Sequence, residues 1–96
     1  GKNKIRLIGL FTREATVIDD GMVYKGIDAI KIWRRKMNAA YNMTLEIVGG
    51  SKVKDAIIVD ILCTGDFPES PLIAQHHFIL ENNLIVCLKI NRVIIF

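Results

Sequence analysis

The chain has 96 residues, 51% of them hydrophobic, and a formal charge of +3. That length makes one small domain with little interior to spare, and a mean hydropathy of +0.32 demands a membrane segment, a sheet covered on both faces, or an oligomer interface. No apolar run approaches the roughly 18 residues needed to span a bilayer, so a membrane segment is excluded and the other two explanations remain.

The basic residues are scattered except for Arg34, Arg35 and Lys36. Near the end of a helix that triplet reads as a solvated face, where cations suit the dipole. No basic strand interleaved with aromatics supports nucleic-acid binding, so neither a nucleic acid nor a membrane is expected as a partner. Cys63 and Cys87 lie in strand-like runs with no CxxC pair and no metal-ligand spacing. They read as reduced thiols, although a disulfide stays open should their strands be neighbours. No signal-peptide pattern is present, and the expected location is cytoplasmic.

Residues 4–12 have the apolar spacing of a short helix, weakened by Gly9. Residues 15–19 are a short strand of β-branched character. Asp20-Gly21 is a hairpin signal, and residues 22–24 return. From Gly26 to Ala40 the periodicity predicts the best helix of the chain. Ile27, Ile30, Trp33, Met37 and Tyr41 recur every three or four residues and share one face.

The pattern then becomes β. Residues 43–48 alternate, residues 49–51 (Gly-Gly-Ser) read as a turn, and residues 53–64 form a long strand interrupted by Asp60. Residues 65–71, with two prolines, break the ladder, and Asp66 there is a candidate cap. Residues 72–80 and 84–90 are two further strands around an Asn82-Asn83 turn. The sum is an α+β domain: a two-strand arm, a long helix, and a curved four-stranded antiparallel sheet wrapped around that helix.

Two blocks of residues resemble a known family. The first is Leu10-Phe11-Thr12, Ala15-Thr16-Val17-Ile18-Asp19, Tyr24-Lys25-Gly26-Ile27-Asp28-Ala29-Ile30 and Trp33. The second is Gly65-Asp66-Phe67-Pro68-Glu69-Ser70-Pro71, Phe78-Ile79-Leu80, Leu84-Ile85 and Leu88-Lys89-Ile90. In order and spacing they are similar to SnoaL-like polyketide cyclase domains, which share the nuclear transport factor 2-like superfamily with ketosteroid isomerases. The resemblance implies a cone-shaped α+β roll, a deep pocket between helix and sheet, and a homodimer, formed here through the outer sheet face. It covers residues 1–96 as a single domain, with the family's usual first helix shortened or missing.

The resemblance also nominates site residues. Asp19 falls where ketosteroid isomerases place a general base, which needs a partly apolar pocket to work. Asp19 and Asp20 read equally as turn residues bonded to their own backbone. On the strand 72–80, the period of two puts Leu72, Ala74, His76, Phe78 and Leu80 on one face. Phe78 and Leu80 match the family's inward positions, so the resemblance implies that His76 points inward too, as an oxyanion donor in place of the isomerases' acid or as a hydrogen-bonded core histidine, while His77 faces outward. The family's usual arginines beside this position are replaced by Gln75 and His77. Tyr24, Trp33, Met37, Tyr41, Phe67 and Phe78 are the expected ligand-binding wall, suited to a flat apolar ligand. No phosphate loop, nucleophile elbow or metal spacing is present, so no cofactor and no metal are expected. The reading is a dimeric small-molecule-binding domain. Its alternative is a cofactor-independent isomerase, cyclase or hydratase-like lyase that uses acid–base catalysis on a ketone.

Overall fold

A computed structural model describes residues 7–40 and 42–94, apart from the side chains at 7, 8, 38–40 and 94. A 3-10 turn, Leu7–Leu10, leads directly into strand β1, Phe11–Asp19. The helix expected over residues 4–12 is therefore only this turn where the chain is described. Phe11 is already extended and buried, because its ring fills the core rather than extending a helical face.

Strand β1 turns at Asp20 and Gly21 into β2, Met22–Lys25. Both turn residues have positive φ, 54° and 80°, the geometry a two-residue hairpin requires if its twist is to match the strands. Gly26, at φ 88°, then redirects the chain. Its N–H donates to the Ala15 carbonyl at 2.8 Å, and its own carbonyl accepts from Ile30 N–H at 3.0 Å. That bond opens helix α1, Ile27–Ala40, with Asp28 in the first turn where a negative charge suits the dipole. Ile30 is fully buried and Trp33 nearly so, with Ile27 and Met37 packed beside them. Tyr41, the last position of the expected face, lies outside the described residues.

Strands β3 (Met43–Val53), β4 (Ala56–Gly65), β5 (Leu72–Glu81) and β6 (Leu84–Ile94) form an antiparallel meander. The hairpin is no separate arm. Strand β1 runs parallel to β6, giving one six-stranded sheet in the order β2-β1-β6-β5-β4-β3. The sheet is thus mixed rather than wholly antiparallel. This pairing covers what would otherwise be the free edge of β6, an exposed row of backbone donors and acceptors. The fold remains the expected α+β roll, with one helix on a curved sheet.

The expected turn at residues 49–51 is also corrected. Strand β3 continues through it with a bulge between Ile47 and Gly49, and the turn falls at Lys54 and Asp55. A Cβ on Gly49 would come within 3.1 Å of the Asp60 carboxylate, and one on Gly50 within 3.3 Å of the Ile58 carbonyl. The glycine pair therefore lets β4 approach β3 and coil the strands, a use of glycine at bulges.

At the far end of β4 the strand break is capped by Ser70, whose Oγ accepts the Gly65 N–H at 2.9 Å. Asp66, the expected cap, is exposed. Val17, Ile30 and Leu88 are the most deeply buried large side chains. Each contributes roughly 1.5–3 kcal/mol by leaving water, and together they clamp α1 to the β1–β6 seam.

Gly65 pairs with Met43, and a Cβ there would overlap the Asn42 carbonyl and lie 3.2 Å from Met43 Cα. Gly65→Ala is expected to destabilise the fold by about 1–3 kcal/mol in chemical denaturation. Gly9→Ala, where nothing lies within 4 Å, is expected to change stability by less than about 1 kcal/mol. Equal effects at the two positions would contradict this account of the β3–β4 contact.

Candidate functional site

Helix α1 lies against β1, β2 and the 3-10 turn and stands away from the rest of the sheet. The space left between it and β3–β6 is a cavity of about 750 Å³. Its walls are mainly apolar: Trp33 and Met37 from α1, Phe67 from the loop, Leu72 and Phe78 from β5, and Leu88 from β6. The mouth is open, since Met22 and Leu45 on its rim are 58% and 59% exposed. Asp19, His76, Tyr24, Trp33, Met37, Phe67 and Phe78 all line this space, whereas Tyr41 is outside the described residues.

The strand register assembles the polar end. Asp19 on β1 pairs with Ile90 on β6, and Ile90 pairs in turn with His76 on β5. The three residues form one row across adjacent strands, so Asp19 and His76 are separated by about 10 Å at the backbone. Arg92, two residues beyond Ile90, projects from the same face of β6 and lines the cavity as well.

Asp19 is the one buried charged residue among those described, at 5% exposure. Its Oδ2 accepts from Trp33 Nε1 at 2.9 Å, and its Oδ1 from Arg92 Nη2 at 3.3 Å. The carboxylate bonds to α1 and β6 rather than to its own turn, so the turn-residue reading fails for Asp19. Asp20 is the exposed turn residue. Arg92 is not among the residues nominated from the sequence, where the last expected strand ends at residue 90. The period of two from Leu88 through Ile90 to Arg92 carried the signal.

His76 Nδ1 lies 3.1 Å from the Ala74 carbonyl, and the ring is near-parallel to Phe78, with centroids 6.0 Å apart and an interplanar angle of 23°. Burial pushes its pKa below the ordinary histidine value. The Ala74 bond and the negative charge of Asp19 oppose that shift, and His77 adds to it. Cys63, also on the cavity wall, is pushed up by burial against the opposing effects of Ala74 and Arg92, which keeps it a thiol.

On the opposite face of the sheet, Asp60 Oδ1 accepts from Gln75 Nε2 at 3.0 Å, and Gln75 Oε1 lies 2.7 Å from His77 Nε2. Asp60 is thus tied to its neighbour on β5 rather than to water. Cys63 and Cys87 are both free. Their strands flank β5, and their partners on it, Leu72 and Ile79, are on opposite faces, so the open disulfide alternative is not realised.

Because His76 resists protonation in the folded state, the unfolded chain takes up that proton first as pH falls below 6.5. Stability is therefore expected to fall from pH 6.5 down to the lower folded-state value and then to level off. His76→Phe removes this component, so the gap in denaturation midpoint between pH 7.5 and 5.5 should be narrower in the variant than in the wild type. An equal gap in both would show that the imidazole is not held neutral by the cavity.

No protein-family model matches the chain, and no curated protein matches it. Solved structures do. A proposed polyketide cyclase of Sinorhizobium meliloti superposes with a TM-score of 0.86 at 26% identity, over 94% of this chain and 83% of that one. A proposed SnoaL-like polyketide cyclase of Jannaschia sp. CCS1 gives 0.78 at 12% identity, over 90% of this chain and 69% of that one. A protein of Catenulispora acidiphila with a ketosteroid isomerase-like fold gives 0.75 at 16%, over 88% and 70%. The last two likenesses concern the fold alone. Together with the two residue blocks quoted above, these similarities support the resemblance to SnoaL-like and ketosteroid isomerase-like domains, and the chain has the nuclear transport factor 2-like fold.

Proposed function

We propose that residues 1–96 form one SnoaL-like domain that binds a flat, ring-containing small molecule in the cavity and works as a homodimer. The observation that carries this reading is the cavity itself, apolar over most of its wall and polar at one end. Pockets of this size, with few convergent polar groups, are typical of sites for drug-sized ligands. Ala74, buried on the cavity face of β5, leaves the space that a larger side chain would fill. A second reading, a cofactor-independent isomerase, cyclase or hydratase-like lyase acting on a ketone, is favoured by the convergence of Asp19, His76 and Arg92 on that same polar end.

The outer sheet face supplies the argument for a dimer. Ile58, Leu62, Ile73, Ile79 and Val93 share it by register, and Ile79 and Val93 are exposed. A contiguous apolar sheet face of this kind is normally covered by a partner. A second copy covers it without leaving a new exposed patch, because a two-fold interface is self-complementary.

Trp33 is the single tryptophan and sits on the cavity wall, so 2-tetralone should quench its fluorescence saturably. Ala74→Phe should weaken that binding at least tenfold; undiminished quenching in the variant would place the ligand elsewhere. Light scattering at micromolar concentration should give a dimer mass, and Ile73→Lys should give a monomer. A strictly monomeric wild type would sink the dimer proposal and leave the ligand proposal standing.

A further inference from the structure

We infer that His76, not Asp19, is the group that exchanges a proton with a ligand in the cavity, and that Asp19 is the positioning residue that aims Arg92 at the resulting oxyanion. This assignment rests on the acid–base reading of the site and gives roles to its three polar residues.

Three observations carry it. First, both Asp19 oxygens already accept bonds, from Trp33 and from Arg92, and the residue is almost wholly buried. Its carboxylate is a fixed acceptor inside the wall. Second, a backbone carbonyl can only accept, so the Ala74 contact assigns the imidazole proton to Nδ1. In the neutral ring Nε2 then carries a bare lone pair, and it has no hydrogen-bond partner among the described residues. The expected oxyanion donor is therefore an acceptor, the opposite role. Third, a guanidinium has five N–H donors, and Asp19 takes one of those on Arg92. The others have no partner among the described residues, and the side chain is 38% exposed at the cavity wall.

The step these groups can perform is proton abstraction beside a ring ketone. The Nε2 lone pair takes the α-proton. The C–H electron pair becomes the enolate C=C bond, and the carbonyl π pair moves onto oxygen, which accepts hydrogen bonds from Arg92. The imidazolium then returns a proton to a ring carbon, the one it took or one exchanged with water through the open mouth, so that no other reactant is consumed. A base that stays neutral at neutral pH suits this task, and burial keeps His76 in that form. The titratable groups facing the space around it are Asp19, Asp20 and Tyr24 from the first hairpin, Lys36 from α1, Cys63 from β4, Glu69 from the loop and Arg92 from β6. Of these, Asp19 acts on the imidazole, favouring its charged form.

Two measurements test the assignment. Long-range ¹H–¹⁵N NMR of the wild-type protein at pH 7.5 should show His76 as the neutral tautomer protonated on Nδ1. A proton on Nε2 would overturn the proposal with no variant needed. Deuterium exchange at the α-carbons of 2-tetralone should be faster with the wild-type protein than in buffer and should rise with pH through a midpoint below 6.5. His76→Gln and His76→Phe should lower the exchange rate at least tenfold. Asp19→Asn should keep a histidine-type profile with its midpoint moved to lower pH, and Arg92→Met should lower the plateau without moving the midpoint. Exchange that survives both His76 variants but is lost in Asp19→Asn would overturn the assignment alone. No acceleration by the wild-type protein would remove the acid–base reading and this assignment with it.

Discussion

A single buried carboxylate ties the three parts of this fold together. Asp19 ends β1, and the two-residue turn that follows fixes its direction. Leaving an ionised carboxylate alone in the interior costs several kcal/mol, so its place is tolerable only because Trp33 and Arg92 meet it. Those partners come from α1 and from the far end of β6, 14 and 73 residues away in sequence. The same bonds therefore set the roll of the helix, the reach of the last strand and the polar end of the cavity.

The cavity follows from how unevenly the helix is packed. Ile30 and Trp33 press α1 onto the β1–β6 seam, where Val17 and Leu88 fill the gap completely. Beyond the seam the sheet curves away, and the residues facing the helix include the small Ala74 and the half-buried His76 and Phe78. Apolar walls are then left without a facing layer, which a core at native packing density does not tolerate. Such walls are the basis of the proposed ligand site, in which a few polar groups would give a bound molecule its orientation. The same curvature turns the other face of the sheet outward. There a hydrogen-bonded chain of Asp60, Gln75 and His77 is set among aliphatic side chains.

Much of this was legible in the residues because it is local. Asp20-Gly21 and Asn82-Asn83 declare their hairpins through the positive φ that short turns need. The helix is declared by a period near 3.6, and the inward face of β5 by a period of two. Asp19, His76 and most of the expected wall residues do line one cavity. Bulges defeat such reading: Gly49 and Gly50 look like a turn, because sequence does not say whether a neighbouring strand lies close enough to need the missing side chains.

The sequence by itself determined most of the elements, their faces and the α+β class, since each depends on neighbours a few residues apart. Only the tertiary structure decided that β1 lies parallel to β6, because that pairing joins segments about seventy residues apart and leaves no periodic trace. It alone decided the contacts of the polar side chains in the cavity as well. Arg92 reached the cavity when its strand was laid beside Asp19, and His76 Nδ1 found its partner when the Ala74 carbonyl came within reach. A residue type fixes which protons can move; the groups packed around it fix which one does.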